Sequence, residues 1–147
     1  MSTKIPADLT HDLFQVVKQF PRVRLMQTSS EGFKRREYDL LALLAINLDA
    51  DTQALSVSEL SHLLQITPAG VTHLLNPLED MGCIERLRDP KDRRVVLISL
   101  TDKGQAIADD LIAGAQDKLV GLIEHLGEED ARTLVRLMLK MIAYLSA

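Results

Sequence analysis

The chain is poor in the residues that usually announce chemistry. Its 147 residues include no Trp, two Tyr and three Phe. Aromatic rings therefore cannot carry a core, and Leu, Val, Ile and Ala must fill it, a composition that favours helices. One cysteine excludes an intrachain disulfide framework and fits a reducing compartment. His11, His62, His73 and His125 are scattered, with no HxxxH pair and no cysteine nearby, so no zinc site is expected. Ser, Cys and His form no nucleophile elbow or triad-like motif, so neither an enzyme nor a cofactor is expected. No apolar run approaches the roughly 18 residues of a membrane span. The first 30 residues lack a signal-peptide pattern, which leads us to expect a soluble cytoplasmic protein with no membrane partner. A basic excess is missing too: the net charge of −4 argues against general nucleic-acid coating, though not against a local basic face.

What is present is apolar periodicity. With 46% apolar residues the chain can bury a core as one domain or two small intimate ones. From Asp8 to about Thr28, Leu9, Leu13, Val16, Phe20 and Val23 recur at helical spacing, and Pro21 should kink that helix or end its first half. Residues 28–32 read as a loop. From Lys34 to about Leu48 a second helix is apolar almost all round, with Leu40, Leu41, Leu43, Leu44 and Ile46, as suits a helix buried on several sides. Ser56 with Glu59 then matches a capping box, and Leu60, Leu63 and Leu64 form the inner face of a short helix. After a turn at Gln65-Ile66, Thr67 caps and Pro68 begins the next helix. Its inward residues are Val71, Leu74, Leu75, Leu78 and Met81, and Gly82 suits its C-terminal cap. Two such helices joined by a tight turn describe a helix-turn-helix.

Residues 84–100 read as a β-hairpin. Ile84, Arg86 and Arg88 alternate with Glu85 and Leu87, Asp89-Pro90 turns the chain, and Val95 to Leu100 returns as a β-branched apolar strand. Between Arg86 and Arg94 stand Arg86, Arg88, Lys91, Arg93 and Arg94 against only Asp89 and Asp92. Such a finger has the charge and reach to enter a DNA groove. Thr101 caps a long helix to about Leu126, striped by Ile107, Leu111, Ala115, Leu119, Leu122 and Leu126. Gly127 ends it, and Glu128 to Ser146 carries Leu134, Leu137, Met138, Met141 and Leu145. The terminal helices have more apolar face than a small winged domain covers, and a second copy of the chain is the simplest cover.

Four segments in this order and spacing resemble the MarR family of bacterial transcriptional regulators across nearly the whole chain. They are Val71-Thr72-His73-Leu74-Leu75 through Leu78-Glu79-Asp80-Met81-Gly82, Ile84-Glu85-Arg86, Asp92-Arg93-Arg94, and Leu100-Thr101-Asp102-Lys103-Gly104. They are similar to the family's recognition helix and its glycine-terminated end, the wing signature and the exit from the wing. The fold class expected is mainly α: a winged helix-turn-helix over 34–100, with dimerisation helices over 1–33 and 101–147. The resemblance implies a homodimeric repressor on a pseudo-palindromic operator in double-stranded DNA, released by a small aromatic or phenolic effector. A winged module that binds protein and not DNA is the alternative. An operator's bases would meet Thr67, Ala69, Gly70, Thr72, His73 and Asn76. The wing would offer Arg86, Arg88, Lys91, Asp92, Arg93 and Arg94, with Arg94 in the minor groove and Asp92 pairing with Arg94 or Arg86 to hold the tip. Arg22, Arg24, Met26 and Tyr38 fall where the family's effector cleft would be. Cys83 reads as a buried structural thiol. The sequence departs from the family pattern at His73, where many relatives carry Arg, and at Pro77, where they commonly carry Arg or Lys.

Overall fold

The computed structural model describes residues 5–20 and 32–147. Its elements in chain order are α1 (Ala7–Val17), α2 (Arg35–Asn47), β1 (Leu55–Ser56), α3 (Val57–Leu64), α4 (Pro68–Asp80), β2 (Ile84–Arg88), β3 (Val96–Leu100), α5 (Asp102–Leu126) and α6 (Glu128–Leu145). The expected fold class is found: a mainly helical chain with a helix-turn-helix followed by a hairpin.

Local chemistry accounts for most of the boundaries. The Ser56 hydroxyl accepts the Glu59 amide at 3.0 Å while the Glu59 carboxylate accepts the Ser56 amide at 2.7 Å, closing the capping box that starts α3. Gln65 turns the chain in the left-handed region at φ 53°. Thr67 and Thr101 cap α4 and α5 by accepting the amides of Gly70 and Gly104, each at 3.1 Å. The buried Glu37 serves the start of α2, its carboxylate accepting the Lys34 amide at 2.9 Å. Pro77 lies inside α4, which runs helical through it to Asp80. Having no N–H, Pro77 gives nothing to the His73 carbonyl, but its own carbonyl takes the Met81 amide at 3.0 Å.

The core gathers Leu40, Leu41 and Leu44 of α2, Leu60 of α3, Val71, Leu75 and Leu78 of α4, Ile98 of β3, and Ala108 and Leu111 of α5. Phe33 and Tyr38 meet edge-on within it, their ring centres 5.3 Å apart. Cys83 is fully buried, as expected. The sheet has the order β1-β3-β2, all antiparallel. Its short strand β1 was not anticipated: Leu55 and Ser56 pair with Ile98 and Leu97, far away in sequence.

Helix α1 ends at Val17, ahead of Pro21, and the continuation expected over 21–28 lies outside the described residues. Two expectations fail. Leu63 is 46% exposed and Ile46 65% exposed, so neither belongs to the inner face assigned to it. Both misreadings have one cause: leucine-rich helical spacing marks a stripe without saying how wide the buried part is.

The start of α5 is fastened to the end of α4. The Thr101 hydroxyl donates to the Gly82 carbonyl, the Lys103 ammonium to the Met81 carbonyl at 2.8 Å, and the Thr101 amide to the Cys83 carbonyl at 3.1 Å. These bonds satisfy the carbonyls of the three residues that follow α4. Gly104 permits the approach, since a Cβ there would overlap the Cys83 carbonyl.

Candidate nucleic-acid interface

Thr72 and His73 each lie three or four residues from both Ala69 and Asn76 along α4, and all four are exposed on the side away from Val71, Leu75 and Leu78. The Thr72 hydroxyl donates to the Pro68 carbonyl at 3.1 Å, so its donor is used within the helix. A Cβ at Gly70 would stand in tight contact with Thr67 Oγ1, at 3.3 Å, and at ordinary contact distance from Ile66.

The hairpin flanks this stripe. Its loop is folded by its own acids: Asp89 accepts the Lys91 amide at 2.8 Å, and Asp92 accepts the Arg94 amide at 3.1 Å. Asp92 also takes the Arg94 guanidinium at 3.1 and 3.2 Å through both carboxylate oxygens. These bonds hold the Asp92 carboxyl below its usual range, the guanidinium contributing more than the amide. Of the two pairings expected for Asp92, the one with Arg94 is formed. Arg94 remains 90% exposed despite this tie. Arg88 donates to the Arg93 carbonyl at 3.2 Å, and Arg86 reaches α4, at Asn76 and Glu79. Lys91 and Arg93 have no polar side-chain partner among the described residues and extend into solvent.

Lys34, Arg35 and Arg36 were not singled out in the sequence. They line a cleft of about 790 Å³ with His73, Asn76 and Pro77, which puts three cations beside the exposed stripe of α4. A run of three basic residues in an acidic chain was the available signal, but it read as the opening turn of a helix.

Sequence comparison leads to the same place as this geometry. The profile of the MarR family matches residues 31–95. The Staphylococcus aureus HTH-type transcriptional regulator MgrA is 30% identical over 114 residues, 78% of this chain and 76% of MgrA. The chain belongs to the MarR family. The Bacillus subtilis HTH-type transcriptional regulator YwhA is 36% identical over 76 residues, 52% of this chain, and the match spans about half of YwhA's length, 55%. Streptococcus pneumoniae FabT, solved in complex with DNA, shares the fold with a TM-score of 0.70 at 24% identity, over 95% of this chain and 94% of FabT.

In this MarR-family chain the helix-turn-helix and wing residues gather on one side, and of the four residues expected at an effector cleft only Tyr38 is described. Tyr38 is buried in the core against Phe33. Arg22, Arg24 and Met26 lie outside the described residues. No group of three or more His, Cys, Asp or Glu is placed to hold a metal among the described residues, and no described helix is long and apolar enough to cross a membrane.

Proposed function

We propose that this MarR-family chain is a homodimeric DNA-binding transcriptional regulator, acting as a repressor at a pseudo-palindromic operator. The observation that carries the reading is the exposed stripe of α4 with a basic hairpin attached beside it. Ala69, Thr72 and His73 would meet base edges in the major groove, and the amides at the Thr67 cap would meet phosphate. Lys91, Arg93 and Arg94 would follow the backbone or the adjacent minor groove, with Asp92 holding Arg94 in place and Arg88 bracing the loop. Lys34, Arg35 and Arg36 would add phosphate partners from the cleft they line with His73 and Asn76.

Dimerisation is supported by apolar surface that the single chain leaves open. Leu134, Val135, Met138 and Leu139 of α6 and Val120 and Ile123 of α5 are exposed, as are Leu9, Leu13 and Phe14 of α1. The proposed division is therefore winged domain over 34–100 and dimerisation helices over 1–33 and 101–147. A two-fold pair would set two recognition helices about 10–10.5 bp apart. A small aromatic or phenolic acid as releasing effector rests on the family resemblance. If it holds, salicylate binding and DNA binding must weaken each other by the same factor.

The test selects a duplex from a randomised library with wild-type protein and measures its binding by fluorescence anisotropy across salt. Binding should fall steeply with salt, and Arg94→Ala should weaken it and flatten the slope by about one. Light scattering should give twice the 16.4 kDa chain mass. Selection of no duplex would favour a protein-binding winged module, and a monomer at micromolar concentration would remove the operator geometry.

A further inference from the structure

The pleat of β2 puts Ile84, Arg86 and Arg88 on one side and Glu85 and Leu87 on the other. Arg86 stands directly opposite Ile98, and opposed residues in an antiparallel ladder share a face. Ile84 and Ile98 on that face belong to the core. Arg86 thus starts on the inner side of the sheet, on its edge strand, and leads toward α4. Its Nη2 donates to Asn76 Oδ1 at 2.7 Å, and its Nε pairs with Glu79 Oε2 at 2.6 Å. Asn76 and Glu79 are three residues apart on one flank of the helix. The flat guanidinium fork spans both, which a lysine ammonium cannot do in one fixed geometry.

The geometry points to Arg86, Glu79 and Asn76 as a clamp that fixes the wing's angle to the recognition helix. Arg86 is then a positioning residue and makes no phosphate contact of its own. Asn76, whose amide oxygen is taken by Arg86, is not a base reader. This rests on the DNA-binding reading above and divides its residues into those that touch DNA and those that hold the touching parts in register. It also predicts a sign. A carboxylate on a DNA-facing helix repels phosphate, so neutralising Glu79 would tighten binding if charge alone mattered. As half of a clamp, its neutralisation loosens the wing and weakens binding.

Full-length wild type, Glu79→Gln, Arg86→Lys and Arg86→Gln are compared by two readouts. In the free protein, Glu79→Gln and Arg86→Gln should both speed amide hydrogen exchange across residues 84–96 while leaving α2 unchanged. On the duplex that wild type selects from a randomised library, Glu79→Gln and Arg86→Lys should each weaken binding about three- to tenfold. The salt slope should stay at the wild-type value in all three variants, because no phosphate contact is lost. Binding by Glu79→Gln as tight as wild type or tighter would overturn the clamp. So would a salt slope reduced by about one in Arg86→Gln, which would make Arg86 a phosphate ligand. Unchanged exchange across 84–96 overturns it whether or not a duplex is selected. Faster exchange in a protein that selects no duplex keeps the clamp and removes the DNA reading.

Discussion

In α2, Leu40, Leu41 and Leu44 are completely buried, whereas in α6 Leu137, Leu139 and Leu145 are half or more exposed. The same residue type, in a helix both times, does two different jobs. Around α2 the chain supplies its own cover, from α4, β3 and the first half of α5. Along α6 only Ala131 is buried. The first region is covered by its own chain, and the second is a surface that the described residues leave open. Periodicity alone does not separate these cases, because an amphipathic stripe looks alike whether its partner is covalently attached or not.

The sharpest way to break this contrast is to make one substitution in both regions. Leu75→Ala removes a fully buried side chain and should cost about 2–5 kcal/mol in chemical denaturation, by the same amount at every protein concentration. Leu139→Ala should cost less, and its cost should vary with concentration if α6 is a dimer seam. Equal, concentration-independent losses at the two positions would mean that α6 is covered within its own chain.

A smaller effect lies at the join between the regions. Gly104→Ala forces a methyl group against the Cys83 carbonyl, and the backbone must shift to admit it. Overpacking of this kind costs about 1–3 kcal/mol. A Gly104→Ala protein of wild-type stability would show that α5 is less firmly seated on α4 than the bonds from Thr101 and Lys103 suggest.

The smallest expected change is at the exposed wing tip. Asp92→Asn should leave thermal stability unchanged while weakening binding to the selected duplex, since Arg94 loses its orienting partner. The pH dependence follows from the lowered Asp92 carboxyl. The ion pair is complete at about pH 7, persists through the ordinary carboxylate range, and is lost only as pH falls through the lowered value. Wild type and variant should therefore differ at neutral pH and converge only in acid. Convergence already near neutrality would mean that Asp92 does not hold Arg94.

What could be read from the sequence was local. The capping box of Ser56 and Glu59, the caps at Thr67 and Thr101 and the stop at Gly127 each involve neighbours within a few positions, and all were legible. Strand β1 was not, because Leu55 and Ser56 have no strand pattern of their own and exist as a strand only against Ile98 and Leu97. The clamp was hidden for a related reason. Arg86 counted as one more charge in a basic run, and only the pleat and the position of α4 show that it faces inward to Glu79.

The joint at Gly104 has a mechanical meaning. Helix α5 has 25 residues and so extends about 37 Å from that joint. A lever of that length turns a tilt of about 5° at the fixed end into about 3 Å at the far end, from the rise of 1.5 Å per residue. With three bonds to the α4 terminus and no room for a side chain, the fulcrum has almost no play. A tilt of the distal half of α5 would then reach the recognition helix as rotation at this joint.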